Sequence, residues 1–459
     1  MEENMEATPQ IDHIKPAECR HDSEAIANGG PCIHRIPNKL RKVNEAAYTP
    51  QLLSIGPFHH GNPKLLDMEG HKKRYYENFL RRCSKSEATL TSFIEARQKN
   101  ILQCYAGAIE LATFNIVDVI LVDACFIIEL FLANFEKIQN EYLFGSPWLR
   151  KAVEQDLILF ENQLPYSVLL ELYDFANPAS SISIPREEQA QKVDEVCSHH
   201  LGDSGAISVL EAPSVDNFLE LTCQFFKDHS KGKSVRKGVQ PKHFTDLVRY
   251  FLSPDETMTW RDDSSRTPIK NIYNIRQLTA SGVKFVPILE DPSYVIRDET
   301  NKVKFHLGTG HMDLKITQFC VKYETECIVR NVMALEQFVY PFNTCICNYF
   351  LLMDQLVDIM EDVDLLVKNK VIVNLLGSNE AVTKLINGLC VNIMEEQSCR
   401  YADICRQLNE HYENRWNRTL ATMRQVYFRD LWTASSTLVA LLILFFTTFG
   451  FIKSIRDGI

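Results

Sequence analysis

Residues 431–452 read LWTASSTLVALLILFFTTFGFI, 22 residues without a charged side chain. A helix that crosses the hydrocarbon core of a bilayer needs about 20 predominantly apolar residues, and this stretch meets that length. Seven residues, 453–459, follow it, and the remainder of the 459-residue chain precedes it. The pattern predicts one large domain followed by a single C-terminal transmembrane helix, Leu431 to Ile452, with the bilayer as the one partner the sequence names.

The rival stretch is FNIVDVILVDACFIIELFLANF, residues 114–135. Asp118, Asp123 and Glu129 interrupt it, and each charge at mid-bilayer costs about 2.5 kcal/mol or more. It therefore reads as a core helix. At 100° per residue Asp118, Glu129 and Glu136 share one face, whereas Asp123 falls among the apolar positions. A carboxylate there is costly to bury unless hydrogen-bonded, so Asp123 is expected to be a structural group held by backbone or by an arginine.

The composition is that of a folded protein, 45% hydrophobic and 24% charged. A net charge of −10 argues against general nucleic-acid binding, which needs a basic face. The opening 25 residues are polar and acidic without an apolar core, so no secretory signal is expected there. Fourteen cysteines are scattered without a CxxC pair, which points to reduced thiols in a cytosolic domain.

Residues 1–31 read as a disordered segment ending in Asn28-Gly29-Gly30-Pro31. Prolines and glycines punctuate residues 37–63, predicting short extended pieces and turns, then a helix over Lys64 to Cys83. Helical periodicity continues from Ser86 to Lys137. Residues 147–175 predict two helices divided at Pro165, with Leu157, Phe160 and Leu164 as core positions. A short helix ends near His200, and another covers Asp216 to Asp228. The stretch 227–243 carries six Lys/Arg residues against one Asp and reads as a basic loop, solvated or facing an anionic surface. Residues 271–280 suggest a helix and GVKFVPIL a strand, while VKFHLGTGHMDLKI alternates about Gly308-Thr309-Gly310 and predicts a β-hairpin. Helices fill most of Glu324 to Tyr427, broken near Tyr340-Pro341. The fold class is mainly α with a small β-hairpin or sheet element.

Motifs that carry chemistry are absent: no GxGxxG after a strand, no Walker loop, no GxSxG, no HExxH. His59, His60, Glu69 and His71 could be gathered around a metal, but adjacent histidines point apart and no helical i, i+4 pair fixes them. Phe58-His59-His60-Gly61 instead suggests a tight turn after Gly56-Pro57. Cys197, His199 and His200 form an equally weak set. Asn417-Arg418-Thr419 is a glycosylation sequon that would matter only on a lumenal side.

CIHRIPNKLRKVNEAAYTPQLLSIGPFHHG (32–61) resembles a plant-specific family catalogued as domain of unknown function 247. The resemblance continues through MEGHK (68–72), LVDACFIIELF (121–131), DLILFENQLPY (156–166), GVKF (282–285) and RNVMALEQ (330–337), to the C-terminal apolar segment. It departs from the usual pattern at Asp123-Ala124-Cys125, where a glycine is common, and at Phe160, where leucine is usual; both read as packing swaps. The resemblance implies a mostly helical, single-pass plant membrane protein without established enzymatic activity, and it supplies no catalytic residue, cofactor or metal. Some grass relatives are implicated in self-incompatibility, a role of those members. The motif residues Gly56, Pro57, His59, His60, Gly61, Glu69, His71, Asp123, Glu161, Asn162, Gln163, Pro165, Arg330, Asn331 and Glu336 are expected to be structural.

Orientation follows from charge. Arg415, Arg418, Arg424 and Arg429 precede the span, and Lys453 and Arg456 follow it. The larger positive cluster belongs on the cytoplasmic side, which predicts a cytosolic domain at 32–430 and tail-anchored insertion, with the plasma membrane favoured over endomembranes. Three functions compete: a tethered interaction or signalling module that binds protein partners, an unrecognised enzyme, and a lipid-contacting structural protein. A pocket gathering Asp123, Glu161, His59 and His60 would favour the enzyme.

Overall fold

The computed structural model describes residues 30–107, 109, 114–138, 142–176, 218–230, 235, 239–253, 272–288, 312–394, 401–423, 427 and 431–457. The N-terminal 29 residues, the set Cys197, His199 and His200, and Lys231, Lys233, Arg236 and Lys237 of the basic loop lie outside them.

The architecture is helical around one buried helix. Helix α1 spans Leu66–Arg82, entered through a 3-10 turn that begins at Pro63 and is capped by the Asn62 side chain on Lys64 N. Helix α2, Ile116–Phe135, is the rival apolar stretch; Asn115 caps it, and 16 of its 20 residues are buried, Asp123 and Glu129 among them. It is thus a core helix, packed by α1, by the helices Glu87–Glu95 and Phe218–Phe225, and by Tyr166–Ala176. Burial on every side explains its continuous apolar composition. Glu129 and Glu136, predicted on one face, converge on the Arg82 guanidinium at 3.1 and 2.7 Å.

Helix α3, Pro147–Ile158, starts with Ser146 as cap and Pro147 in the first turn, where a missing N–H costs nothing. Helix α4, Tyr166–Ala176, begins directly after Pro165. Between them the loop 159–165 is wholly buried, with Leu157, Phe160 and Leu164 at 0% exposure. Farther along come α5 (Phe244–Leu252), α6 (Thr325–Val339) and α7 (Cys345–Leu356). The chain closes with α8 (Ala402–Glu413), α9 (Arg415–Thr422) and α10 (Leu431–Asp457). One connected hydrophobic core reaches from Cys32 to Leu408. Among the described residues the cysteines are free thiols.

Three two-stranded parallel pairs complete the described fold: β1 (Ile33–His34) with β2 (Tyr105–Ala106), β3 (Val283–Ile288) with β4 (Met312–Thr317), and β5 (Phe319–Val321) with β6 (Ile372–Asn374). One expectation is corrected here, and another falls partly outside the described residues. The Ser86–Lys137 stretch is not one helix. Cys104 to Ala106 leaves the helical path to pair with the N-terminal strand, and Gly107, at φ +132°, makes the exit that only glycine takes easily. The second arm of the expected hairpin, Met312–Thr317, pairs in parallel with Val283–Ile288; the first arm, 303–307, and the Gly308-Thr309-Gly310 turn lie outside the described residues. Alternate burial of Val283, Phe285, Leu314 and Ile316 drives the pairing, and a parallel pair needs a long connection rather than a tight turn.

Helix α10 differs from all others. Its window Ser435–Lys453 has a mean hydropathy of 2.1, and none of it is buried against the domain. At 1.5 Å per residue that window is about 28 Å long, close to the roughly 30 Å of a bilayer's hydrocarbon core.

Gly56 tests the packing. It sits at φ +69°, and a Cβ there would meet the Gln163 carbonyl oxygen at 2.6 Å and the Tyr105 hydroxyl at 3.0 Å. Gly61 has a similar φ of +77° and open space around it. Gly61→Ala is expected to lose about 1–2 kcal/mol, the left-handed penalty alone. Gly56→Ala is expected to lose at least about 3 kcal/mol, penalty plus overpacking. Denaturant melts of the two variants check the difference.

Candidate functional site

Residues 51–56 (Gln-Leu-Leu-Ser-Ile-Gly) run outside any helix or strand from an exposed Gln51 into the interior, with Leu53 and Ile55 at 0% exposure. A buried backbone must find hydrogen-bond partners, and here side chains provide them. Asp156, in the last turn of α3, accepts the amides of Gln51, Leu52 and Leu53 at 2.9, 2.7 and 2.9 Å. Asn162 accepts Ile55 N at 2.7 Å and donates to the carbonyls of Leu53 and Asp156. Asp123 accepts Gly56 N at 2.8 Å, and Lys72 donates to Ser54 O at 2.8 Å. Asp123 is thus held by a backbone amide and a lysine, where the sequence suggested backbone or an arginine.

Lys72 stands between two carboxylates, 2.5 Å from Asp123 Oδ1 and 2.8 Å from Glu69 Oε1. With Ser54 O these make three acceptors for three ammonium hydrogens. Burial pulls the Lys72 ammonium down, but the Asp123 and Glu69 charges outweigh it and leave its pKa raised. An amine nucleophile needs a free lone pair, so Lys72 is held as a cation. Burial raises the Asp123 pKa, and Lys72 and the Gly56 amide offset part of that rise.

The next residues of the loop tie other elements together. Glu161 accepts the Ile36 amide, lies 2.6 Å from Arg41 Nη2 and 3.1 Å from His59 Nε2. Burial pushes the Glu161 pKa up, but these contacts prevail and hold it below the ordinary carboxylate value. Gln163 donates to the carbonyls of Leu157 and Leu159 and accepts Phe244 N at 2.9 Å, which fixes the start of α5. Asn331 on α6 accepts Phe160 N at 2.9 Å and donates to Ala47 O at 2.7 Å. Glu336, at 0% exposure, accepts Ile346 N and Cys347 N at 3.0 and 2.9 Å at the first turn of α7, where a carboxylate also complements the helix dipole. Arg249 closes the joint at 3.1 Å from Glu336. Arg330 bonds Glu326 and the Gly388 carbonyl.

His59, His60, Glu69 and His71 diverge. His59 faces Glu161, His60 packs on Phe114 with ring centroids 4.8 Å apart, Glu69 meets Lys72, and His71 stacks on Tyr142 at 4.3 Å. Among the described residues no three His, Cys, Asp or Glu side chains gather as metal ligands. The turn expected at 58–61 is present, closed by Asn62 N on His59 O at 3.2 Å.

One cleft adjoins this network. It holds about 260 Å³ and is lined by His60, Glu69, Lys72, Phe114, Asp118 and Asp123 among others. It gathers Asp123 and His60 but not Glu161 and His59, which pair elsewhere. Its only deep cation and anion, Lys72 and Asp123, are engaged with each other.

Sequence reading did not nominate Asp156, Lys72, His243 or Arg249. Asp156 occupies a polar position of an amphipathic helix, and nothing marks it as buried. His243 caps α5: its Nδ1 accepts Asp246 N and its Nε2 donates to Cys32 O at 3.0 Å, which fixes a neutral tautomer. Burial drives its pKa down to about 4.

A helical domain laced by buried side-chain-to-backbone bonds, with one apolar helix standing clear of it, is the class of protein this chain represents. Residues 33–446 match the model of the family described as plant protein of unknown function, DUF247, and the chain belongs to that family. It is similar to UPF0481 protein At3g47200 of Arabidopsis thaliana, 23% identical over 92% of this chain and 86% of that one. It is also similar to the putative UPF0481 protein At3g02645 of the same plant, 21% identical over 92% of this chain and 89% of the relative. No solved structure matches the chain.

Two variants probe the network. Lys72→Met strands the Asp123 carboxylate and is expected to destabilise the fold by about 3–5 kcal/mol. Adding Asp123→Asn, which keeps an acceptor for Gly56 N, should restore more than half of that loss in thermal melts. His243 has a depressed folded pKa, so its contribution is complete above the unfolded value of 6.5 and is lost as pH falls toward 4. Asp156, raised by burial to about 6, acts in the opposite sense below that pH, so the readout is a difference. Between pH 7 and 4.5 the wild type should lose about 2–3 kcal/mol more than His243→Asn.

Proposed function

We propose that the chain is a membrane-anchored, non-enzymatic interaction module whose helical domain is held at the cytosolic face of a bilayer by α10. The observation that carries this reading is that none of the Ser435–Lys453 window is buried by the domain. An apolar helix of membrane length left bare in water is costly, and a bilayer is the environment that covers it. The flanking charges favour the cytosolic side for the domain: Arg415, Arg418, Arg424 and Arg429 precede the span, against Lys453 and Arg456 after it.

The motif residues support a scaffold role. Asp123, Asp156, Glu161, Asn162, Gln163, Asn331 and Glu336 each hold backbone amides or carbonyls of distant segments. Groups so engaged shape and stiffen a surface that protein partners can recognise. Signalling through such partners is the finer form of the proposal, and the plasma membrane is the favoured site.

Alkaline carbonate extraction of plant membranes tests the anchor. The full chain is expected in the pellet and a chain ending at residue 430 in the supernatant. Protease added to sealed, cytosolic-side-out vesicles should digest the domain. Extraction of the full chain would overturn the anchor, and a protected domain would overturn the orientation. Proximity labelling from the domain then returns the partners.

A further inference from the structure

The short helix α9 leads into the span, and its three faces differ. At 100° per residue, Trp416 and Met423, the residue that follows α9, fall within about 20° of one line, and Tyr427 comes four residues later. All three are exposed, Trp416 at 84%, Met423 at 42% and Tyr427 at 49%. Asn417 and Ala421 lie on a second face, which packs on the domain. Ala421 is 1% exposed, the Asn417 amide donates to His411 O at 2.9 Å, and the helix Ile275–Ala280 sits against α9. The third face carries Arg415, Arg418 and Thr422, all exposed. The helix is therefore bound on one side, basic on another and bare on its apolar side.

Its position relative to the span is fixed by one contact. Thr437 Oγ1 of α10, whose hydroxyl donates to Thr433 O at 2.7 Å, lies 3.3 Å from Tyr427 O. Thr437 lies two residues inside the apolar window that starts at Ser435. Tyr427, five residues beyond the end of α9, is thus level with the beginning of the membrane-length apolar stretch. Trp432, 86% exposed, lies in the same zone. Tryptophan and tyrosine prefer the membrane–water boundary, where an apolar ring meets a wet edge.

We propose that α9 lies in the headgroup layer of the bilayer that α10 crosses. Trp416 of α9, with Met423 and Tyr427 after it, turns toward the acyl chains, and Arg415 and Arg418 meet the phosphates of anionic lipids. The proposal rests on the membrane-anchor reading of α10. The occupant of the bare face is lipid because the face is continuous with the span through the Thr437–Tyr427 contact and is flanked by arginines, the pattern of an interfacial amphipathic helix. Through Asn417 and Ala421 the same helix is clamped to the domain, so it sets the angle at which the domain meets the membrane.

The test uses the full chain reconstituted in phosphatidylcholine–phosphatidylserine vesicles whose lipids carry bromine at shallow or deep chain positions. Trp148→Phe, Trp260→Phe and Trp432→Phe together leave Trp416 as reporter. A companion variant retains Trp432 instead. Trp416 should be quenched more by shallow than by deep bromines. If Trp432 is quenched and Trp416 is not, the interfacial placement of α9 is overturned while the anchor stands. If neither is quenched, the anchor reading fails with it. A measurement on the unaltered chain stands beside this. Met423 and Met360 are equally exposed in the protein, at 42% and 43%. In vesicles peroxide should oxidise Met423 at least about fivefold more slowly than Met360; equal rates would overturn the proposal.

Discussion

The fold depends on a run of backbone that has no secondary structure to satisfy it. From Gln51 to Gly56 five amides and two carbonyls are met by the side chains of Asp156, Asn162, Asp123 and Lys72. Each buried polar group left unmet costs about 1–3 kcal/mol, and a folded domain has only about 5–15 kcal/mol in hand. Losing two or three of these bonds therefore threatens the whole. The acceptors come from α2, from α3 and from the loop after it, so the segment fixes where those elements stand. Gly56 shows how closely: its φ and the 2.6 Å approach to Gln163 O admit no side chain.

From that segment the same device spreads outward. Glu161 and Arg41 hold the N-terminal strand region, Asn331 brings α6 to the loop, and Glu336 with Arg249 joins α6 to α5 and α7. Most of these groups are buried charges, which contribute little net stability but are costly to break. Such a network makes one arrangement of helices much better than its competitors. The consequence for function is a stiff body whose chemically reactive groups face one another. The features left facing outward are an apolar helix of membrane length and the amphipathic helix before it. On the proposed reading, a tether of that design places a recognition surface at a membrane.

The apolar helix α10 was legible because composition alone marks it: 22 residues without charge make a helix of membrane length. The core character of α2 was equally legible, since three carboxylates forbid the bilayer. Asp123 stood out as an expensive group, but its partners did not, because Lys72 and Gly56 are 51 and 67 positions away and neither follows a local period. Asp156 looked like a solvent-facing position on α3; only tertiary contact reveals that its carboxylate faces a strip of amides. The β4 strand was recognised, but β3 as its parallel neighbour was not, because alternate burial is the same for parallel and antiparallel neighbours. The break at Cys104 to Ala106 was missed for a similar reason: the pairing with Ile33-His34 is set by a contact some 70 residues apart. The divergence of His59 and His60 was legible from their adjacency, and their partners, Glu161 and Phe114, were not.

The most direct measurement of the central claim is amide hydrogen exchange, read by residue on the detergent-solubilised full chain. If side chains do hold the 51–56 backbone, the amides of Leu53, Ile55 and Gly56 exchange only through global unfolding, as slowly as those at the centre of α2. Exchange of these three amides at the rate of an exposed loop, with α2 still protected, would contradict the account.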